Sequence, residues 1–139
     1  MHDGSITIRV SVEVREIERL NGLVRRFGEL HEIPSRSLYA VNLALDEVVT
    51  NAILYGFENA ADQEMSIRVQ LAGSELHAEV VDHGRAFNPL EAPTPNLEAP
   101  LRDRELGGLG IHLVRSLMDR LDYRRDGAKN VLTLIKRIR

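Results

Sequence analysis

At 139 residues with 43% hydrophobic content, the chain is long enough to bury a core without crosslinks, and its lack of cysteine excludes disulfides and thiolate metal sites. A formal charge of -3, with acids and bases interspersed, leaves no broad basic surface and argues against nucleic acid as a direct partner. No apolar run reaches the length of a membrane span, and the opening MHDGSITIRV lacks the plan of a signal peptide, so the expectation is one cytoplasmic domain over residues 1–139.

Ile6, Ile8, Val10, Val12 and Val14 alternate with polar neighbours, the period of a strand with one buried face. Ile17, Leu20, Val24, Phe27 and Leu30 then follow helical spacing until Pro34, after which Ser35 or Ser37 is expected to cap a second helix running to about Gly56. The segments MSIRVQLAG and ELHAEVVDHG flank the turn signal Gly73-Ser74 and read as an antiparallel hairpin. Pro89, Pro93, Pro95 and Pro100 exclude a regular element between residues 88 and 106 and predict a long loop. GGLGIHLVRSLMDRL is glycine-rich and then helical, with Ile111, Val114, Leu117, Met118 and Leu121 on one face. A closing hairpin turns at Asp126-Gly127, its last strand setting Val131, Thr133 and Ile135 opposite Leu132 and Leu134. This order predicts an α+β two-layer sandwich, the helices on one face of a mixed, mainly antiparallel sheet and the other face solvated or paired with a second chain.

Three stretches carry chemistry. On the second helix Val41, Leu45, Val48 and Ala52 form the stripe that packs on the sheet, while Glu47 and Asn51 lie off it, flanked by Leu43 and Leu54. A polar pair between apolar flanks needs partners, since an unpaired buried charge is costly; a Glu at a solvated helix edge is the plain alternative. VVDHGRAF ends a strand on Asp82 with Gly84 close behind, which suits a ligand amine and close backbone approach, although Asp-x-Gly is also ordinary turn chemistry. Gly107, Gly108 and Gly110 open a helix and offer backbone N–H groups to an anion; a tightly packed helix start would look the same. A P-loop is absent, and the glycines lack dinucleotide-fold spacing. The histidines share no metal-ligand spacing, and the pairs Arg25-Arg26 and Arg124-Arg125 read as solvated.

Taken together and in this order, DEVVTNAILYGF, DHGRAFNP and GGLGIHLVRSLMDRLDYRRDGAKNVLTL resemble the boxes of the GHKL ATPase superfamily of gyrases, heat-shock chaperones, histidine kinases and mismatch-repair proteins. Length and wording are similar to its anti-sigma-factor serine/threonine kinase branch. The resemblance implies a Bergerat-type ATP-binding fold in which Asn51 ligates the Mg²⁺ of Mg-ATP and Glu47 is the catalytic base. It implies further that Asp82 holds the adenine amino group with Gly84 making room for the base, Ala86 completes the adenine box, and Gly107, Gly108 and Gly110 hinge a lid over the phosphates. Ala86 replaces a glycine of many relatives, and Leu106 and Gly107 stand where many kinases of the family place an Arg, so Arg102 or Arg104 from the proline-rich loop is left to reach the phosphates.

The function the resemblance implies is a protein serine/threonine kinase that phosphorylates a small STAS-type anti-sigma-factor antagonist and otherwise sequesters a sigma factor, acting as a homodimer. The alternatives are a non-catalytic, ATP-gated protein-binding module and a free-standing histidine-kinase catalytic domain.

Overall fold

The computed structural model describes residues 4–57, 63–88 and 108–138, with backbone alone at 108–110. The elements follow the expected order: β1 (Ser5–Ser11), α1 (Glu16–Leu30), α2 (Ser35–Tyr55), β2 (Glu64–Ala72), β3 (Glu75–Asp82), α3 (Gly108–Leu117), β4 (Arg120–Asp126) and β5 (Lys129–Arg137). The proline-rich segment expected as a loop, with Arg102, Arg104 and Gly107, lies outside the described residues.

The five strands form one sheet in the order β1-β2-β3-β5-β4. The α+β reading holds, but the sheet expected to be mixed is antiparallel at every pairing. The reason is connectivity: two hairpins supply β2-β3 and β4-β5, and their turns place Gly73 and Gly127 at φ 61° and 60°, where glycine is at ease. Two rows of side chains cross the inner face. Ile6, Val69, Ala78, Leu134 and Leu121 form one; Ile8, Ile67, Val80, Leu132 and Tyr123 form the next. The opposite face is polar along rows such as Thr7, Arg68, Glu79, Thr133 and Asp122.

α2 packs against α1, α3 and the strands β3 and β5. Val41, Leu45 and Val48 are buried as the stripe requires, and Ala40, Ala44 and Val49 are buried as well, so the helix is covered on more than one side. Gly28 sets the approach of α1 to α2, because a Cβ there would stand 2.4 Å from Leu38 Cδ2. Buried apolar area of this kind is the main source of stability, about 25 cal/mol for each Å² removed from water.

Local expectations fail at element ends. The alternation of β1 stops before Val14, which is 56% exposed, because the chain turns where Glu13 N–H donates to Ser11 O and Glu16 N–H to Glu13 O. Leu30 is 74% exposed because the buried face of α1 runs through Leu20, Val24, Phe27 and Gly28 and resumes past the helix end at Ile33, leaving Leu30 on the solvent side. Neither Ser35 nor Ser37 caps α2: Pro34 occupies the N-cap position, and no side chain bonds there. Leu121 belongs to β4 and not to the third helix, since the Asp119 N–H donates to Ile135 O and draws the chain into the sheet.

Candidate active site

The inner face changes character one step beyond its apolar rows. Where β3 and β5 run side by side, Asp82 pairs with Asn130, and Asn130 pairs across β4 with Arg125. Both Asp82 and Asn130 are buried, at 8% and 5% exposure. Asp82 Oδ1 accepts from the Gly84 N–H at 2.8 Å and from Asn130 Nδ2 at 2.9 Å. Asn130 Nδ2 also donates to Arg85 O at 2.8 Å, while its Oδ1 accepts from Tyr123 Oη at 2.5 Å, Arg125 Nη1 at 3.2 Å and the Phe87 N–H at 3.4 Å. Among the described residues Asp82 Oδ2 has no hydrogen-bond partner.

The loop after β3 is stitched to its surroundings from both sides. Arg85 N–H donates to Gly56 O and Arg85 Nε to Tyr55 O, both at the end of α2 and both at 2.9 Å. From the sheet side, Arg125 Nη1 donates to Gly84 O at 2.8 Å, so this arginine, read as solvated, is structural. Gly84 is required for a reason other than the one expected: a Cβ would lie 2.3 Å from Gly56 O, so the space in question belongs to the end of α2.

Asp82 and Asn51 meet at a small cavity of about 30 Å³ whose apolar walls come from Val48, Ala52, Val80, Phe87 and Leu132, with Tyr123 and Asn130 beside Asp82. That is room for about one water, so a larger ligand enters only as the walls part. Asn51 is 5% exposed and its side chain makes no hydrogen bond to another described residue, so its carboxamide is available to a ligand. Glu47, one helical turn earlier, is half-buried and outside the cavity lining. Gly84 and Ala86 belong to the stitched loop and do not line the cavity. Gly108 and Gly110 fall in the first turn of α3, and Gly107 is outside the described residues. Sequence reasoning missed Asn130, Tyr123 and Phe87. The signal for Asn130 was present: it stands two residues before Leu132 on the inward phase of β5, where a polar side chain is out of place.

A larger open groove lies between α1 and α2, lined by Asn21, Tyr39, Asn42 and Asp46 among others, and it contains none of the expected site residues. Burial pushes the Asp46 carboxyl up, a hydrogen bond from Asn21 opposing the shift, and the Oδ1 atoms of Asn21, Asn42 and Asp46 lack partners among the described residues.

The sequence matches the family described as "Histidine kinase-like ATPase domain" over residues 10–136. The chain belongs to that family. This histidine kinase-like ATPase domain is 29% identical over 100 residues to the serine/threonine-protein kinase BtrW of Bordetella bronchiseptica, covering 72% of this chain and 70% of that protein. It is 30% identical over 97 residues to an anti-sigma F factor of Clostridium acetobutylicum, covering 70% and 67%. Its fold matches the structure of the RsbU and RsbW domains of Rv1364c from Mycobacterium tuberculosis with a TM-score of 0.71 at 14% identity, spanning 97% of this chain but 32% of that longer one. The superfamily and branch expected from the three boxes are thus borne out, and the ATPase domain's ligand is ATP.

Proposed function

We propose that this protein is an ATP-dependent serine/threonine kinase of the anti-sigma-factor type, transferring the γ-phosphoryl group to a hydroxyl of a small STAS-type antagonist and otherwise sequestering a sigma factor in the cytoplasm. The observation that carries the reading is the buried Asp82, its Oδ2 unpaired among the described residues, beside an apolar cavity that Asn51 also lines. Oδ2 accepts the exocyclic amine of adenine, and Val80, Leu132 and Phe87 part to pack on the ring, since the cavity of about 30 Å³ is smaller than the base. The names of the relatives, a serine/threonine kinase and anti-sigma factors, support the choice of acceptor and of partner.

The residues present fit Mg²⁺. Among the described residues no group of three His, Asp or Glu side chains forms a metal cage, and Mg²⁺ in phosphoryl-transfer sites takes few protein ligands, keeping waters and phosphate oxygens for the rest. The carboxamide oxygen of Asn51, without a partner among the described residues, is a hard ligand of the right kind. When bound, the ion neutralises charge on the transferring phosphate. In the proposed reaction the acceptor hydroxyl oxygen forms a bond to the γ-phosphorus as the bond to the β-γ bridging oxygen breaks, ADP leaves, and Glu47 takes the hydroxyl proton. The first helical turn of α3 presents backbone N–H groups suited to phosphate oxygens, the role proposed for Gly107, Gly108 and Gly110.

The position of Glu47 outside the cavity lining supports a second reading, a non-catalytic module in which ATP switches partner affinity. Phosphate transfer to STAS-type antagonists, followed with γ-labelled ATP for wild type and Glu47→Ala, separates the two. Transfer lost in the variant with ATP binding kept supports the kinase; a wild type that binds ATP and the antagonist without transfer supports the module.

A further inference from the structure

Asn130 has no part in the roles proposed above, yet it makes five of the hydrogen bonds at the base of the cavity. A carboxamide has an accepting end and a donating end of nearly equal size, so its orientation is set by its neighbours. Here three donors converge on Oδ1: the Tyr123 hydroxyl, the Arg125 guanidinium and the Phe87 N–H. Two acceptors, Asp82 Oδ1 and Arg85 O, meet Nδ2. Turned over, the amide would set its N–H groups against the Arg125 and Phe87 donors and its oxygen against the two acceptors, with the Tyr123 hydroxyl alone able to adapt. Its orientation is therefore locked by the obligate donors Arg125 and the Phe87 N–H and the obligate acceptors Asp82 Oδ1 and Arg85 O, with the Tyr123 hydroxyl adding a bond that holds Oδ1 in place.

The locked amide acts on Asp82. The two carboxylate oxygens are chemically equal, and what distinguishes them is that Oδ1 is held by both Asn130 Nδ2 and the Gly84 N–H. Those two bonds fix the plane of the carboxylate and the direction in which Oδ2 is offered. We infer that Asn130 is a positioning residue for base recognition: through its locked amide it aims Asp82 Oδ2 so that the site accepts a purine bearing an exocyclic amine and rejects one bearing a carbonyl at that place. Such a site discriminates sharply, because a carbonyl oxygen set against a carboxylate leaves both acceptors without a donor.

The inference rests on the reading of the cavity as the ATP site, and the experiment keeps the two apart by using ATP and inosine triphosphate, which differ only at the base edge: an amine against a carbonyl at C6, with N1 an acceptor in the first and an N–H donor in the second. Dissociation constants for both are measured by titration calorimetry on the full chain in its wild-type, Asn130→Ala and Tyr123→Phe forms, with folding checked by circular dichroism. The wild type is expected to prefer ATP by at least about tenfold; Asn130→Ala loses about tenfold in ATP affinity with inosine triphosphate nearly unchanged, so the preference collapses. Tyr123→Phe, which leaves Asn130 in place but removes one of the bonds holding it, moves the ratio in the same direction by about threefold and serves if Asn130→Ala does not fold. Equal weakening toward both nucleotides, or an unaltered preference in a folded variant, overturns the positioning role. A folded wild type that binds neither nucleotide overturns the ATP-site reading and the inference with it.

Discussion

Asn130 Nδ2 donates to Asp82 Oδ1 at 2.9 Å across the pairing of β5 with β3, joining two buried polar side chains 48 positions apart in sequence. One is the expected end of a strand; the other had no assigned role. Their bond turns a carboxylate that would be costly to bury alone into a directed acceptor.

Asp82→Asn tests the acceptor directly. The variant keeps a carbonyl oxygen for the Gly84 N–H and for Asn130 Nδ2, so the fold survives, but it replaces the free oxygen with an amide donor facing the adenine amine. Titration calorimetry with Mg-ATP is expected to show a loss of at least about thirtyfold, or about 2 kcal/mol, with little change in melting temperature.

Gly84→Ala is expected to destabilise by about 2 kcal/mol or more, because the new methyl would meet the backbone carbonyl of Gly56 at 2.3 Å and neither segment is free to withdraw. Chemical denaturation measures the loss, and weakened ATP binding accompanies it as the stitched loop shifts. An alanine tolerated without cost would show that this loop does not pack against α2 as described.

Glu32→Gly is expected to stabilise. Glu32 has φ 54°, the left-handed conformation in which a side chain is strained, at the point where α1 closes and the Ile33 N–H donates to Gly28 O. Glycine relieves that strain but adds chain entropy to the unfolded state, leaving a net gain of about 0.5 kcal/mol, read as a raised denaturation midpoint at unchanged slope.

Asp46→Asn tests the groove between α1 and α2. Burial raises the carboxyl's folded pKa above its unfolded value, so the folded state holds the proton more tightly. Its contribution to stability is therefore fully present below the unfolded pKa, near 3.9, and is lost as pH rises through the folded one. The amide cannot ionise and escapes that loss. Relative to wild type the variant gains up to about 1 kcal/mol at neutral pH, a figure already reduced for solvent screening, and the gain shrinks toward acid. Melting temperatures across pH check it; a constant offset would show that Asp46 titrates alike in both states.

The order of elements, both hairpin turns and the buried stripe of α2 were legible in the sequence because each is a local pattern, a period of two or 3.6 or a glycine at a turn. The three boxes were legible as well, since E-x-x-x-N places Glu47 and Asn51 a helical turn apart and the Asp82 box ends a strand. They were enough to name the family and to expect ATP. Only the tertiary structure decided that the sheet is antiparallel throughout, that Asp82 faces Asn130, and that Arg125, read as a solvated cation, closes the loop over Gly84. It also moved the reason for Gly84 from the ligand to the end of α2. The difference is physical: periodicity reports which face of an element is buried, whereas register between strands distant in sequence is set by the packing of the whole sheet, and a hydrogen-bond partner exists only once that register does.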